Sequence, residues 1–247
     1  DLVAAGARVV FGVLGAASQT SVRLILSFHI VSQIGYMVMG LALFTVNALA
    51  GAIFYVAHNI FAKANLFLIG GILRALTGSE ALARMGGVYA AAPWLSLLFL
   101  IPAFSLAGFP PLSGFWAKFM LIREGLALGE VAIVAAALFT ALFTTYSMTK
   151  IWTYAFWKPH PAGDLEAGRK IPGSLFLYMP CASLAALTVI MGVFPAFFIQ
   201  TATDAARVAV DAEVSQLVLT HIAGGTDRDR VLEEAAAVYE RRGLYTY

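Results

Sequence analysis

Charge is scarce in this sequence: only 12% of its 247 residues are charged, about half the roughly 25% of a soluble domain. That deficit excludes an ordinary soluble domain at this length, whereas burial in a bilayer accounts for it. Cysteine is nearly absent as well. The single Cys181 lies in the apolar run PCASLAALTVIMGVF and reads as an inert buried side chain, with no partner for an intramolecular disulfide. No His/Cys cluster offers metal or iron–sulfur ligands, so no cofactor is expected. A net charge of +2 without a basic block excludes a nucleic-acid partner. Neither a glycine-rich phosphate loop nor a solenoid repeat is present, and no signal-peptide pattern opens the chain. It begins at Asp1 in a segment that reads like the end of something, so an upstream portion of a longer protein is expected.

What is present is apolar. Hydrophobic residues make up 60% of the chain, and the mean hydropathy is +0.82. A bilayer core takes about 20 residues of helix, and these runs are too long and too unbroken for barrel strands. The expectation is an all-α bundle of about six spans over residues 1–200, followed by a tail over 201–247. A weak first span covers about 3–17, with Arg8 inside it; the second covers about 24–45 and the third about 48–75. The fourth, about 93–123, is interrupted by LAGFPPLSGF. A fifth covers about 127–157 and ends in Trp152, Tyr154, Phe156 and Trp157, which suit a lipid–water interface. The sixth runs over about 174–200, after the hinge KPHPAGDLEAGRKIP. The charged, helix-prone tail is expected outside the hydrocarbon, partly along the interface. Arg23, Arg74, Arg84, Lys158, Arg169 and Lys170 fall in connections on one side, so that side is expected to be cytoplasmic and the tail outside.

Two charges break the apolar pattern. Between Leu24 and Leu73 the only charged residue is Lys63, and between Met85 and Ile122 the only one is Lys118. A mid-span lysine costs roughly 2.5–3.5 kcal/mol on insertion scales. It needs a partner, a water-filled cavity or its neutral form; reaching an interface or a lipid headgroup is the structural alternative. Tyr55, Asn59 and Lys63 share one helical face at spacings of four, and His58 shares another with Asn65. His58 and Lys63 are five apart, splayed by about 140° in a regular helix, which a π-bulge would narrow. The preceding span carries a polar stripe of His29, Ser32, Gln33 and Tyr36, fit either for a water chain or for interhelical hydrogen bonds. Gly35, Gly40, Gly51, Gly70 and Gly71 read as packing glycines.

Gly108-Phe109-Pro110-Pro111 breaks the fourth span, because two prolines remove two backbone donors and free carbonyls at membrane depth. Broken helices line ion sites in transporters, though a plain kink has the same sequence. Ser105 and Ser113 flank the break, and Lys118 follows Pro111 by seven residues.

ILSFHIVSQIGYMVMG, AIFYVAHNIFAKANLFLIGG and SLAGFPPLSGFWAKFMLI resemble the antiporter-like membrane subunits shared by respiratory complex I and the Mrp-type multisubunit Na+/H+ antiporters. The resemblance covers about residues 18–200. The SFHIVSQIGYM stretch, and a histidine five residues before the lysine, look most like the D subunit of the Mrp type; in complex I relatives the histidine usually sits four ahead, where Asn59 stands here. The resemblance implies a fourteen-helix subunit with two inverted five-helix repeats, of which this chain supplies the C-terminal part. It also implies a proton relay through Lys63, Lys118, His58 and His29, supported by Tyr55, Asn59, Ser32, Gln33, Ser105 and Ser113, with Gly108, Pro110 and Pro111 as the helix break.

The implied activity is that of a secondary-transporter subunit rather than an enzyme. It would exchange H+ for a monovalent cation, Na+ foremost, beside other subunits of a heteromeric complex in a bacterial cell membrane. The lack of a carboxylate cage in the spans suggests that Na+ is handled elsewhere. A proton-pumping subunit of a complex I-type NADH-quinone oxidoreductase or membrane-bound hydrogenase is the alternative, and a structural subunit with lipid-binding lysines is a third.

Overall fold

Backbone groups in hydrocarbon find no water, so each apolar run closes its hydrogen bonds within itself as a helix. The computed structural model describes residues 2–163 and 174–211. Among these residues the fold is all-α, apart from one isolated antiparallel bridge between Ser21 and Ala81. Helices α1 (Leu2–Ser18), α2 (Val22–Leu43) and α3 (Val46–Thr77) come first. A short α4 (Val88–Ala91) leads into α5 (Pro93–Ala107), and α6 (Ser113–Ala127) and α7 (Val131–Ile151) follow. Helices α8 (Ser174–Val193) and α9 (Pro195–Asp211) complete the set.

Local chemistry sets the ends. Only Phe44 and Thr45 separate α2 from α3; Phe44 takes the left-handed conformation, and the Thr45 hydroxyl accepts from Ala48 N–H as a helix cap. Gly78 closes α3 and Gly108 closes α5, both left-handed, as glycine allows without penalty. Lys150 of α7 donates to the Ala17 and Gln19 carbonyls at 3.0 and 2.8 Å, satisfying the C-terminal end of α1.

Among the described residues, four helical stretches are long and apolar enough to cross a membrane: Val22–Leu43, Val46–Thr77, Val131–Trp157 and Phe176–Val193. The weak first span is a helix of 17 residues, about 26 Å long, short of a hydrocarbon core of about 30 Å. Arg8 sits exposed on it. The fourth span is two half-helices of 15 residues each, with a cis peptide at Pro110-Pro111. The chain bends again at Phe194, and α9 runs across the expected 200/201 boundary, burying Ala202 and Ala206 against the bundle. Residues 212–247, which hold most of the expected tail, and Arg169 and Lys170 lie outside the described residues.

Packing is inside-out. Leu24, Phe28 and Val31 of α2, and Leu138 and Leu142 of α7, face outward. His29, Ser32 and Gln33 are fully buried. The core divides into two apolar clusters. One gathers Ile25 and Leu26 of α2, Leu66 to Leu76 of α3, Phe99 to Leu106 of α5 and Met148 to Phe156. The other gathers Tyr36 to Leu43 of α2, Ala48 to Tyr55 of α3, Ala117 and Leu121 of α6 and Ile133 to Ala137 of α7. On α2, α3 and α7, which contribute to both clusters, a short buried polar stretch lies between the two.

Two expectations need correction. Phe156 is a core member and Trp152 is partly buried against it, stacked at 4.9 Å with Phe156 against Phe99, where the chain widens into a π-helical turn over Trp152–Trp157; of that cluster only Trp157 is broadly exposed. That is the π-helical turn among the described residues; between His58 and Lys63 α3 is regular. Gly35, Gly40 and Gly51 do sit at close helix approaches, but Gly71 has nothing within 4 Å of where a Cβ would be. With Gly70, Val22, Arg23, Leu26, Phe67 and Glu80, Gly71 lines a cavity of about 250 Å³.

A Cβ at Gly35 would collide with the side chain and backbone of Val9 on α1. Gly35→Val is expected to destabilise the fold by about 1–3 kcal/mol or more. Thermal unfolding of the purified protein in detergent checks this, and an unchanged midpoint would show that α1 does not depend on this approach.

Candidate functional site

The polar stretches meet at one level of the bundle. Helices α2 and α3 run antiparallel through the two-residue turn. Lys63 Nζ donates to the Leu26 carbonyl at 3.1 Å, and the Tyr55 hydroxyl donates to Gln33 Oε1. This register sets His29, midway between Leu26 and Gln33, level with Asn59, midway between Tyr55 and Lys63. Gln33 Nε2 donates in turn to Ser32 Oγ at 3.1 Å. Tyr55 and Lys63 thus use the α2-facing side of α3, the shared face that their spacing implies.

His58 points elsewhere. With no π-bulge to bring it round, its ring faces the break between α5 and α6, where Nδ1 lies 2.9 Å from Ser113 Oγ and 3.4 Å from Ser105 Oγ. The two hydroxyls are 3.1 Å apart, and Ser105 Oγ accepts from Gly114 N–H at 3.1 Å. Leu112, at the start of α6, offers no side-chain cap, so Ser105 caps that helix from across the break.

The break also holds Lys118. Its ammonium donates to the Leu106 and Ala107 carbonyls at 2.8 and 3.0 Å, the end of α5 where carbonyls lack helical partners. A cation there also meets the negative end of the helix dipole. The Tyr36 ring lies 5.3 Å from the same nitrogen and stacks on Tyr55 at 5.2 Å, and Tyr55 meets His58 edge-on at 5.8 Å. An aromatic bridge therefore connects Lys118 of α6 to His58 of α3.

Both lysines are buried, 6% exposed for Lys63 and 5% for Lys118. Among the described residues neither makes an ion pair; the two salt bridges are Arg74–Glu80 and Arg207–Asp204, both on the exposed surface. Several buried polar atoms lack any partner among the described residues: both ring nitrogens of His29, Nε2 of His58, Oδ1 of Asn59 and both amide atoms of Asn65. Buried polar groups rarely stay unbonded, and ordered water is the usual partner.

All the expected site residues except Pro110, Pro111 and Gly108, which shape the break itself, are buried at this level. Composition alone does not reveal that α7 joins them through Thr140, Thr144 and Ser147, and α8 through Thr188, all buried. Thr140 donates to the Val9 carbonyl at 3.2 Å, while Thr144 and Thr188 bond back to their own helices. Small alcohols dissolve into apolar runs in a sequence scan; their alignment with the polar stretches of neighbouring helices is the signal that finds them. Among the described residues no cluster of three or more His, Cys, Asp or Glu is placed to hold a metal ion.

Residues 2–144 match the family model described as NADH:quinone oxidoreductase/Mrp antiporter, TM. The D subunit of the Na(+)/H(+) antiporter of Alkalihalophilus pseudofirmus is 49% identical over 191 residues, covering 77% of this chain and 38% of that protein. Its counterpart from Bacillus subtilis is 37% identical over 180 residues, covering 71% and 36%. The chain thus spans well under half the length of these relatives. Among solved structures, the Mrp complex from Dietzia sp. DQ12-45-1b superposes with a TM-score of 0.75 at 32% identity, over 83% of this chain and 46% of that one. Respiratory complex I from Thermus thermophilus shares the fold, with a TM-score of 0.72 at 22% identity over 83% and 42%.

Replacing Tyr55 by Phe leaves the buried Gln33 carbonyl oxygen without its donor, at an expected cost of about 1–3 kcal/mol. A lowered thermal midpoint with the spectrum of the folded state retained is the expected result; an unchanged midpoint would mean that the bond contributes nothing.

Proposed function

Because the chain belongs to the NADH:quinone oxidoreductase/Mrp antiporter transmembrane family, we propose that it is the C-terminal part of a cation/proton antiporter subunit that carries protons along buried lysines and histidines. The observation that carries this reading is the pair of buried amines, Lys63 and Lys118, each held by backbone carbonyls and by no carboxylate among the described residues. An amine held only by neutral carbonyls gives up or takes a proton without breaking an ion pair. Two such amines within one polar layer couple electrostatically, so charge on one disfavours charge on the other.

His58 and His29 serve as intermediate stations, and the unpartnered atoms of His29, Asn59 and Asn65 are where water would bridge them. Each charge crossing 100 mV is worth about 2.3 kcal/mol, a scale that small changes in solvation can match. The protein works as a multi-pass subunit of a heteromeric complex in the bacterial plasma membrane, exchanging H+ for Na+, and as a transporter component rather than an enzyme. The names of its Na(+)/H(+) antiporter relatives support antiport over redox-driven pumping.

The test is cation-dependent pH change in vesicles carrying the intact assembly. Lys118→Ala and Lys63→Ala are each expected to abolish exchange, roughly a hundredfold loss or more, with assembly unimpaired. Exchange at the wild-type rate with either amine removed would end the relay reading.

A further inference from the structure

The hydrogen-bond count at the helix break decides which nitrogen of His58 carries its hydrogen. Gly114 N–H can only donate, and it donates to Ser105 Oγ at 3.1 Å. Three contacts remain among the two hydroxyls and the ring: Ser105 to Ser113 at 3.1 Å, Ser113 to Nδ1 at 2.9 Å and Ser105 to Nδ1 at 3.4 Å. A hydroxyl brings one hydrogen and two lone pairs, and a neutral imidazole has one donor and one acceptor nitrogen.

If Nδ1 is the acceptor, every hydrogen at the break is placed: Gly114 donates to Ser105, Ser105 to Ser113, and Ser113 to the ring, and only the Nε2 hydrogen on the far side of the ring lacks an acceptor among the described residues. If Nδ1 carries the hydrogen, it donates to Ser113 and Ser113 to Ser105. The Ser105 hydrogen is then left with no acceptor among the described residues, in a pocket where Ser105, Ser113 and His58 are all fully buried. Nε2 is unmet in that form too, so it leaves two buried groups unsatisfied against one, which is the more costly arrangement.

We propose that Ser105 and Ser113 are positioning residues that hold neutral His58 in the Nε2–H form, with Nδ1 turned into the helix break. The Nε2 hydrogen, which has no partner among the described residues, is then what His58 offers to the polar layer. Gly114 keeps that side open, since a Cβ there would stand 2.9 Å from Nε2. The role of this arrangement in transport rests on the relay reading above. A proton reaching His58 adds at Nδ1, so it must reverse both hydroxyls. The reversal ends at Ser105, which adjoins Leu106 and Ala107, whose carbonyls hold Lys118. Proton occupancy at His58 is in this way connected to the grip on Lys118, through the last turn of α5.

The experiment is nitrogen-15 NMR of histidine-labelled intact assembly in lipid, with the His58 signals identified by their loss in His58→Gln. Wild type is expected to show neutral His58 in the Nε2–H form alone. Ser105→Ala/Ser113→Ala removes both Nδ1 partners and is expected to shift the tautomer ratio toward Nδ1–H by roughly tenfold. Ser113→Ala alone, which leaves the longer 3.4 Å contact, should fall between. Ser113→Thr, which restores the hydroxyl, should return the wild-type pattern. A wild-type Nδ1–H signal, or a double variant with the wild-type ratio, would overturn the assignment. If the double variant does not assemble, the wild-type spectrum and Ser113→Ala still decide it. The spectrum is read without transport, so this assignment and the relay reading fail separately: normal exchange in Lys118→Ala removes the relay and leaves the tautomer standing.

Discussion

An amine in the middle of a hydrocarbon slab must find oxygen within the protein, and at Lys118 that oxygen comes from a helix that stops early. A continuous helix spends its carbonyls on its own amides. By ending at Gly108, α5 leaves the Leu106 and Ala107 carbonyls free at the depth where Lys118 needs them. The two prolines therefore create the site as well as interrupting the span. The cost of the second orphaned end, the start of α6, is met by Ser105 across the gap. One interruption thus supplies acceptors to the lysine and a hydroxyl pair to His58.

The remainder of the bundle is arranged around that level. Two apolar clusters, one on each side, hold the helices together and leave a polar layer between them. Packing of this kind separates two tasks. Aliphatic and aromatic residues hold the helices against one another, while the layer keeps hydrogen-bonding groups away from lipid without filling all their valences. The unpaired atoms of His29, Asn59 and Asn65 belong to this layer. Rigid walls around incompletely satisfied groups suit the passage of protons better than a fully bonded network, in which every move breaks an existing bond.

The aromatic bridge adds a connection that helix order alone does not suggest. Tyr36 lies beside the Lys118 ammonium and stacks on Tyr55, which holds Gln33 and meets His58. Side chains from α2, α3 and α6 are therefore mechanically linked, and a displacement of any one is felt by the others.

Sequence by itself determined the membrane class, the helical class, the approximate spans, the break at Gly108 to Pro111 and the two anomalous lysines. These follow from local rules: hydrocarbon excludes unpaired backbone, proline removes donors, and charge is rare in lipid, so each exception stands out against an apolar background. The shared face of Tyr55 and Lys63 was legible too, because helical periodicity fixes it. Tertiary structure alone decided what each polar group touches. No spacing reveals that His58 faces Ser113 and not Lys63, that Lys118 binds the end of α5, that Gly70 and Gly71 line a cavity while Gly35 seats a neighbour, or that Phe156 is core with Trp152 packed against it. Those outcomes depend on which helices are adjacent and at what height they cross, and contacts between helices distant in the chain leave no periodic mark within either one.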